Sequence, residues 1–310
     1  METPEEIQVN VERGFYLELA ALRALDAASD RLLDLLSSRG LQNEGDRILA
    51  MAIARGTTTF KGALCLIENG FGREALMLAR SLFEGAAVAY WISSNPDKAA
   101  EHFALSNEHE IHLMGQKLDE LGIADPLSPS MGRLDDEKLA KARKLFGKDN
   151  QRLWTGHRTI WDLIREVENR LKKAGRLTLL DYMKHDHGRN TKEMHATASA
   201  IFGITINPAA IGPDGQGGIS VRVGPGPDSL DEAAQGAFLN HSSLLLLLVD
   251  HFKLGPEAQA ELDQAITDNA FAFAVIDPAE ARKLSRNDLC LCGSGKKFKN
   301  CHWDRMRHSL

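Results

Sequence analysis

The sequence predicts an all-α protein: a multi-helix bundle with a short irregular or β-hairpin insertion, followed by a small C-terminal zinc module. Three observations carry this. Apolar residues recur at three- and four-residue spacing along most of the chain, and Gly and Pro stand where those stretches end. Three of the four cysteines also fall within twelve positions, from Cys290 to Cys301. The predicted divisions are a helical domain over 1–276 with its insertion at about 204–227, a polar linker over 277–288, and a zinc module over 289–310.

The first predicted helix spans about 4–38, with Val11, Phe15, Leu17, Leu19, Leu22, Leu25, Leu32, Leu33 and Leu36 at helical spacings, and Ser37-Ser38-Arg39-Gly40 as its stop. A second runs from Glu44 to Asn69 with Gly70 as its cap, and a third from Gly72 to Ser93. Pro96 is placed to open the fourth, which reaches about Leu121. After the Pro/Gly/Ser-rich stretch 122–133 come a charged helix to Phe146 and another from about Thr159 to Ala174. Period-two alternation in Ile204-Thr205-Ile206 and Ile219 to Val223 predicts the hairpin or loop. Helix then resumes from about Ser229 to Lys253, breaks at Gly255-Pro256 and runs to about Val275.

Composition bounds the function. The chain is 43% hydrophobic and 26% charged over 310 residues, which suits a globular core. Its opening residues are acidic and polar and offer no export signal, so a cytoplasmic location is expected. The longest apolar run, Ser243 to Val249, is far short of the roughly 20 residues of a membrane span, and no transmembrane segment is expected. Residues 285–310 hold six Lys/Arg and two Asp/Glu, a net +4, so the preceding body carries −10 of the total −6. An acidic body disfavours sequence-independent capture of duplex nucleic acid, whereas the basic tail suits phosphate or an acidic protein face.

In the tail, Cys290 and Cys292 are separated by one residue, and Cys301 and His302 follow eight residues later. Three thiolates and one imidazole complete the tetrahedron of a structural zinc site and leave no position for a catalytic water. Gly293-Ser294-Gly295 supplies the turn that brings backbone N–H groups towards the sulfurs. Lys296, Lys297 and Lys299 flank a centre of net charge −1 and are the candidate partner-binding residues. A disulfide among these cysteines is the competing reading and goes against an intracellular setting.

Arg286-Asn287-Asp288, the Cys-x-Cys pair, Gly-Ser-Gly-Lys-Lys and Cys-His together resemble the SEC-C motif, the type found at the C-terminus of the translocase motor SecA and on many otherwise unrelated bacterial proteins. Leu289 and Leu291 stand where that tail usually has Pro around the first Cys, which removes no ligand. The resemblance implies structural zinc and a contact surface for a protein, ribosomal or membrane-surface partner. It does not imply an ATPase, because the chain has no phosphate-binding loop of the P-loop type.

The segment from Gly70 to Tyr90, with Arg73-Glu74-Ala75 and Leu78-Ala79-Arg80-Ser81-Leu82-Phe83-Glu84, followed much later by Thr191-Lys192-Glu193-Met194-His195-Ala196-Thr197, is similar over roughly residues 45–250 to a helical bacterial domain of unknown function that often carries such a tail. Arg80 and Glu84 lie four apart and predict an intrahelical pair, while Arg73, Arg80 and Glu84 are candidate site-lining residues. Arg189 followed by His195 resembles the Arg-x(4–6)-His signature of HEPN ribonucleases, helical proteins whose Arg and His meet across a dimer interface. That resemblance implies a homodimer and metal-independent cleavage of RNA, with His195 in proton transfer and Arg189 neutralising developing charge. The alternative is that Arg189 pairs locally and His195 packs in the bundle.

Among the remaining candidates, His102, His109 and His112 share one predicted helix with Glu101 and Glu108. No second Glu-x-x-His element completes a di-metal bundle site, so imidazoles satisfied or solvent-facing beside helix carboxylates are expected. Cys65, flanked by Ala63, Leu64, Leu66 and Ile67, is expected to be a core thiol. No Ser-His-Asp elbow or glycine-rich nucleotide loop is present.

Overall fold

The computed structural model describes residues 3–41, 43–122, 134–173, 229–273, 283–292 and 294–303. Among them are nine α-helices and no strand: α1 (Pro4–Gly14), α2 (Tyr16–Ser37), α3 (Glu44–Glu68), α4 (Gly72–Ser94), α5 (Pro96–Glu120), α6 (Asp136–Phe146), α7 (Ile160–Lys173), α8 (Leu230–Phe252) and α9 (Pro256–Thr267). The hairpin or loop expected at about 204–227 lies outside the described residues, as does 277–282 of the expected linker.

Local chemistry explains most boundaries. Thr3 opens α1 with a capping box, its hydroxyl accepting from the Glu6 amide while the Glu6 carboxylate accepts from the Thr3 amide. Gly70, at φ 79°, closes α3: its amide bonds the Ile67 carbonyl and the Phe71 amide bonds that of Leu66, the two bonds of a Schellman motif. Pro96 occupies the first turn of α5 as expected, and Asp135 caps α6 through the Lys138 amide.

Two boundaries differ from expectation. The first helix is broken at Phe15 (φ −121°, ψ 25°), which accepts from the Leu19 amide and donates to the Val11 carbonyl, so the hydrogen-bond ladder survives while the helical path does not. The last helix ends at Thr267, and a 3-10 turn over Ala270–Phe273 replaces the expected continuation.

The chain divides into two compact units, residues 1–39, 53–86 and 181–310 in one and 40–52 and 87–180 in the other. In the first, α2 packs against α8 and α9. Its Leu19, Leu22, Leu25, Ala28 and Leu32 are fully buried, in the helical stripe the sequence shows. Phe60 of α3, Leu82 and Phe83 of α4, and Leu244, Leu245 and Leu248 of α8 are buried as well. The leucine run of α8 is therefore core. Among the described residues the helix long and apolar enough to cross a membrane is instead α4, but 56% of its apolar window is buried inside the protein. Cys65 corrects the expectation of a core thiol: it is exposed on α3 while Ala63, Leu64 and Ile67 are buried, because the apolar run wraps past the edge of the buried face.

In the second unit α5 packs on α6, burying Leu105, Leu134, Ala142 and Phe146. Trp91 is completely buried, with Trp154 and His157 meeting it edge-on at 5.7 and 5.9 Å.

Candidate metal centre

Residues 283–303 fold around a few backbone hydrogen bonds. The Asp288 carboxylate accepts from the Ser285 amide at 2.6 Å and opens the module. Across a single antiparallel bridge between Leu289 and Lys297, the Cys290 amide donates to the Lys296 carbonyl (2.9 Å) and the Phe298 amide to that of Asp288 (2.7 Å). A 3-10 turn over Phe298–Asn300 then delivers Cys301 and His302 to the same place. Phe298 is buried beneath, with Trp303 edge-on to it at 5.5 Å and the Arg286 guanidinium over the Trp303 ring at 5.4 Å.

These turns bring Cys290, Cys292, Cys301 and His302 together, one ligand atom from each and all within 4.8 Å of one another. The Cys292 and Cys301 sulfurs are 3.5 Å apart, and His302 Nδ1 lies 3.3 Å from Cys290 Sγ and 3.2 Å from Cys301 Sγ. A tetrahedral zinc with bonds of about 2.3 Å to sulfur and about 2.0 Å to nitrogen would hold its ligand atoms roughly 3.5–3.8 Å apart. The donor set and its spacing fit such an ion.

Electrostatics point the same way. Burial, reinforced by the neighbouring sulfurs, pushes the Cys301 thiol up to about 12 and raises that of Cys290. Cys292 is also pushed up by burial, but hydrogen bonds from the side chain and backbone of Ser294 outweigh this and leave it below its ordinary value. Three sulfurs this close, two of them buried, cannot all ionise alone; a divalent cation among them makes three thiolates and a neutral imidazole the stable set.

Ser294, which the sequence places only in the turn, also reaches the cluster: its Oγ lies 3.2 Å from both Cys292 Sγ and Cys301 Sγ and accepts from the Lys296 amide at 3.3 Å. Its signal in the sequence is a hydroxyl residue placed between two ligand pairs. Lys296, Lys297 and Lys299 are exposed, as are Leu289 (66%) and Leu291 (51%).

The candidates in the body are scattered. Arg189 and His195 lie outside the described residues, as do His185 and His187. On α4 the expected pair is present, with Arg80 Nε donating to Glu84 Oε1 at 2.8 Å, Arg80 largely buried and Glu84 at the surface. Arg73, half-buried at the start of α4, has a hydrogen-bond or ionic partner. Among the described residues the tail cluster is the one group of three or more His, Cys, Asp or Glu spaced to hold a metal.

His102 and His109 correct the expectation of imidazoles beside carboxylates. Both are buried against Phe146, at 5.9 and 6.3 Å, and His109 Nδ1 pairs with Asn150 Oδ1 at 2.7 Å. Glu101 and Glu108 turn instead to Lys141 and Lys138 of α6. Their positions on α5 differ from those of the histidines by one residue, which is enough to change the helix face.

Residues 46–187 match DUF5677, a family of unknown function, and residues 286–304 match the SEC-C motif. The protein translocase subunit SecA of Cupriavidus taiwanensis is 38% identical over 78 residues, 24% of this chain and 8% of that protein. SecA of Pseudomonas fluorescens is 54% identical over 48 residues, 16% of this chain and 5% of that protein. The match thus spans less than a tenth of either relative's length. No solved structure matches the chain. The C-terminal residues carry a metal-binding SEC-C motif, and the body matches a family with no assigned activity.

Proposed function

We propose that the C-terminal residues form a structural zinc module that recruits the helical chain to a protein partner. The observation that carries this reading is a closed four-donor cluster, its ligand atoms within 4.8 Å, beneath a surface that exposes Leu289 and Leu291. Four protein donors fill the coordination sphere of zinc, which suits a fold-holding role rather than a catalytic one. The exposed leucines offer apolar anchors, and Lys296, Lys297 and Lys299 suit an acidic face on a protein or ribosomal partner. In this reading residues 1–276 are the recruited body, 277–288 the tether and 289–310 the module, working in the cytoplasm. The ribonuclease reading through Arg189 and His195, with its RNA substrate and homodimer, draws no support from the described residues or from the relatives.

The test places a photo-crosslinking residue at position 291 in the full-length protein in cells. A discrete protein adduct that is lost on Cys290→Ser, and weakened when the three lysines become Glu, is the expected result. Adducts indifferent to loss of the metal ligand would overturn the proposal.

A further inference from the structure

The carbonyl of Cys301 accepts a hydrogen bond from the Tyr16 hydroxyl, across 285 positions of sequence. Both residues belong to the same compact unit. Tyr16 is the first residue of α2, directly after the break at Phe15. Its neighbours Leu17 and Leu19 are buried, whereas Tyr16 is half-buried. The accepting oxygen has an unusual position too, because it belongs to the peptide that joins Cys301 to His302, two adjacent members of the metal cluster.

We infer that metal occupancy of the Cys3His cluster controls docking of the C-terminal module on the amino end of α2, through the Tyr16–Cys301 hydrogen bond. This rests on the metal reading of the preceding subsections. When Cys301 Sγ and His302 Nδ1 bind one ion, the peptide between them is tethered on both sides and its carbonyl direction is set. Without the ion neither side chain restrains that peptide plane, and a carbonyl turned away cannot accept from Tyr16.

The coupling must run both ways: if metal favours docking, docking favours metal retention by the same factor. One hydrogen bond of ordinary net strength corresponds to roughly three- to tenfold. The state of the metal centre would then reach the break between α1 and α2, far away in sequence. What is recognised is a segment of this chain, the module itself.

The test uses the full-length zinc-loaded protein, a zinc chelator and backbone hydrogen exchange followed by mass spectrometry. In the wild type, chelation should speed exchange both in the module and in peptides covering residues 11–25. Tyr16→Phe should keep one zinc per chain but bind it about three- to tenfold more weakly in equilibrium competition with the chelator. Unchanged exchange at residues 11–25 on chelation, or wild-type zinc affinity in Tyr16→Phe, overturns the inference. Should Tyr16→Phe lose helix content, the wild-type chelation experiment decides alone. Wild-type protein that holds no zinc removes the metal reading and this inference together; one zinc per chain without coupling removes the inference only.

Discussion

His241 Nε2 lies 2.6 Å from Ser29 Oγ, a pair joining α8 to α2 inside the core. The Ser29 hydroxyl donates to the Leu25 carbonyl at 2.7 Å, so His241 is the donor to Ser29 through Nε2. Its ring stacks on Phe60 at 4.1 Å. Burial, aided by the positive charge of Lys61, drives its pKa down to about 3. In the unfolded chain it titrates near 6.5. The folded state therefore binds fewer protons, and stability present above about pH 6.5 is lost as pH falls towards 3, by up to about 1.4 kcal/mol per pH unit. Urea midpoints measured from pH 7 to 5 should fall, and should fall less for His241→Leu. Parallel profiles for the two proteins would refute the assignment.

Gly45 makes a second prediction with a definite sign. A Cβ there would come within 2.6–2.7 Å of the Pro96 Cβ, carbonyl oxygen and Cα, atoms of a rigid backbone. Ala improves helix propensity by roughly 1 kcal/mol, but overpacking against atoms that cannot yield costs about 1–3 kcal/mol or more. Gly45→Ala should lower the denaturation midpoint; an unchanged or raised midpoint would show that the Pro96 turn gives way.

For the metal, protein purified without chelator should contain about one zinc per chain, and cobalt in its place should show the absorption of a thiolate-rich tetrahedral site. Cys301→Ser should lose it. Metal content near zero in the wild type would refute the assignment.

Ser294→Ala should retain the fold of the module and weaken metal binding by about 10–100-fold in chelator competition, the range typical of groups that hydrogen-bond metal ligands. Wild-type affinity in that variant would mean that the 3.2 Å contacts to Cys292 and Cys301 are incidental.

Chelation should also leave the helical body largely intact, because its core is built from α2, α3, α4 and α8 and holds none of the cluster residues. Trp303 fluorescence should change as its contact with Phe298 loosens, while far-ultraviolet circular dichroism stays helical. A large loss of helix would show that the tail is part of the core.

The sequence by itself determined the elements and the metal ligands, since both are written in short-range spacing. The stripe of α2, the glycine closing α3 and the proline opening α5 act through neighbours three to five residues away, and Cys290, Cys292, Cys301 and His302 share one short loop. Tertiary structure decided what depends on which side of a helix is covered. Cys65 has apolar neighbours and is exposed, and His102 and His109 have carboxylates beside them in sequence but pack on Phe146; in each case a rotation of about 100° per residue puts adjacent positions on different faces. The bonds from Ser29 to His241 and from Tyr16 to Cys301 join residues more than 200 positions apart, and no local pattern encodes them. They exist because burying the apolar stripes brings distant polar groups together, and groups left inside must find each other there.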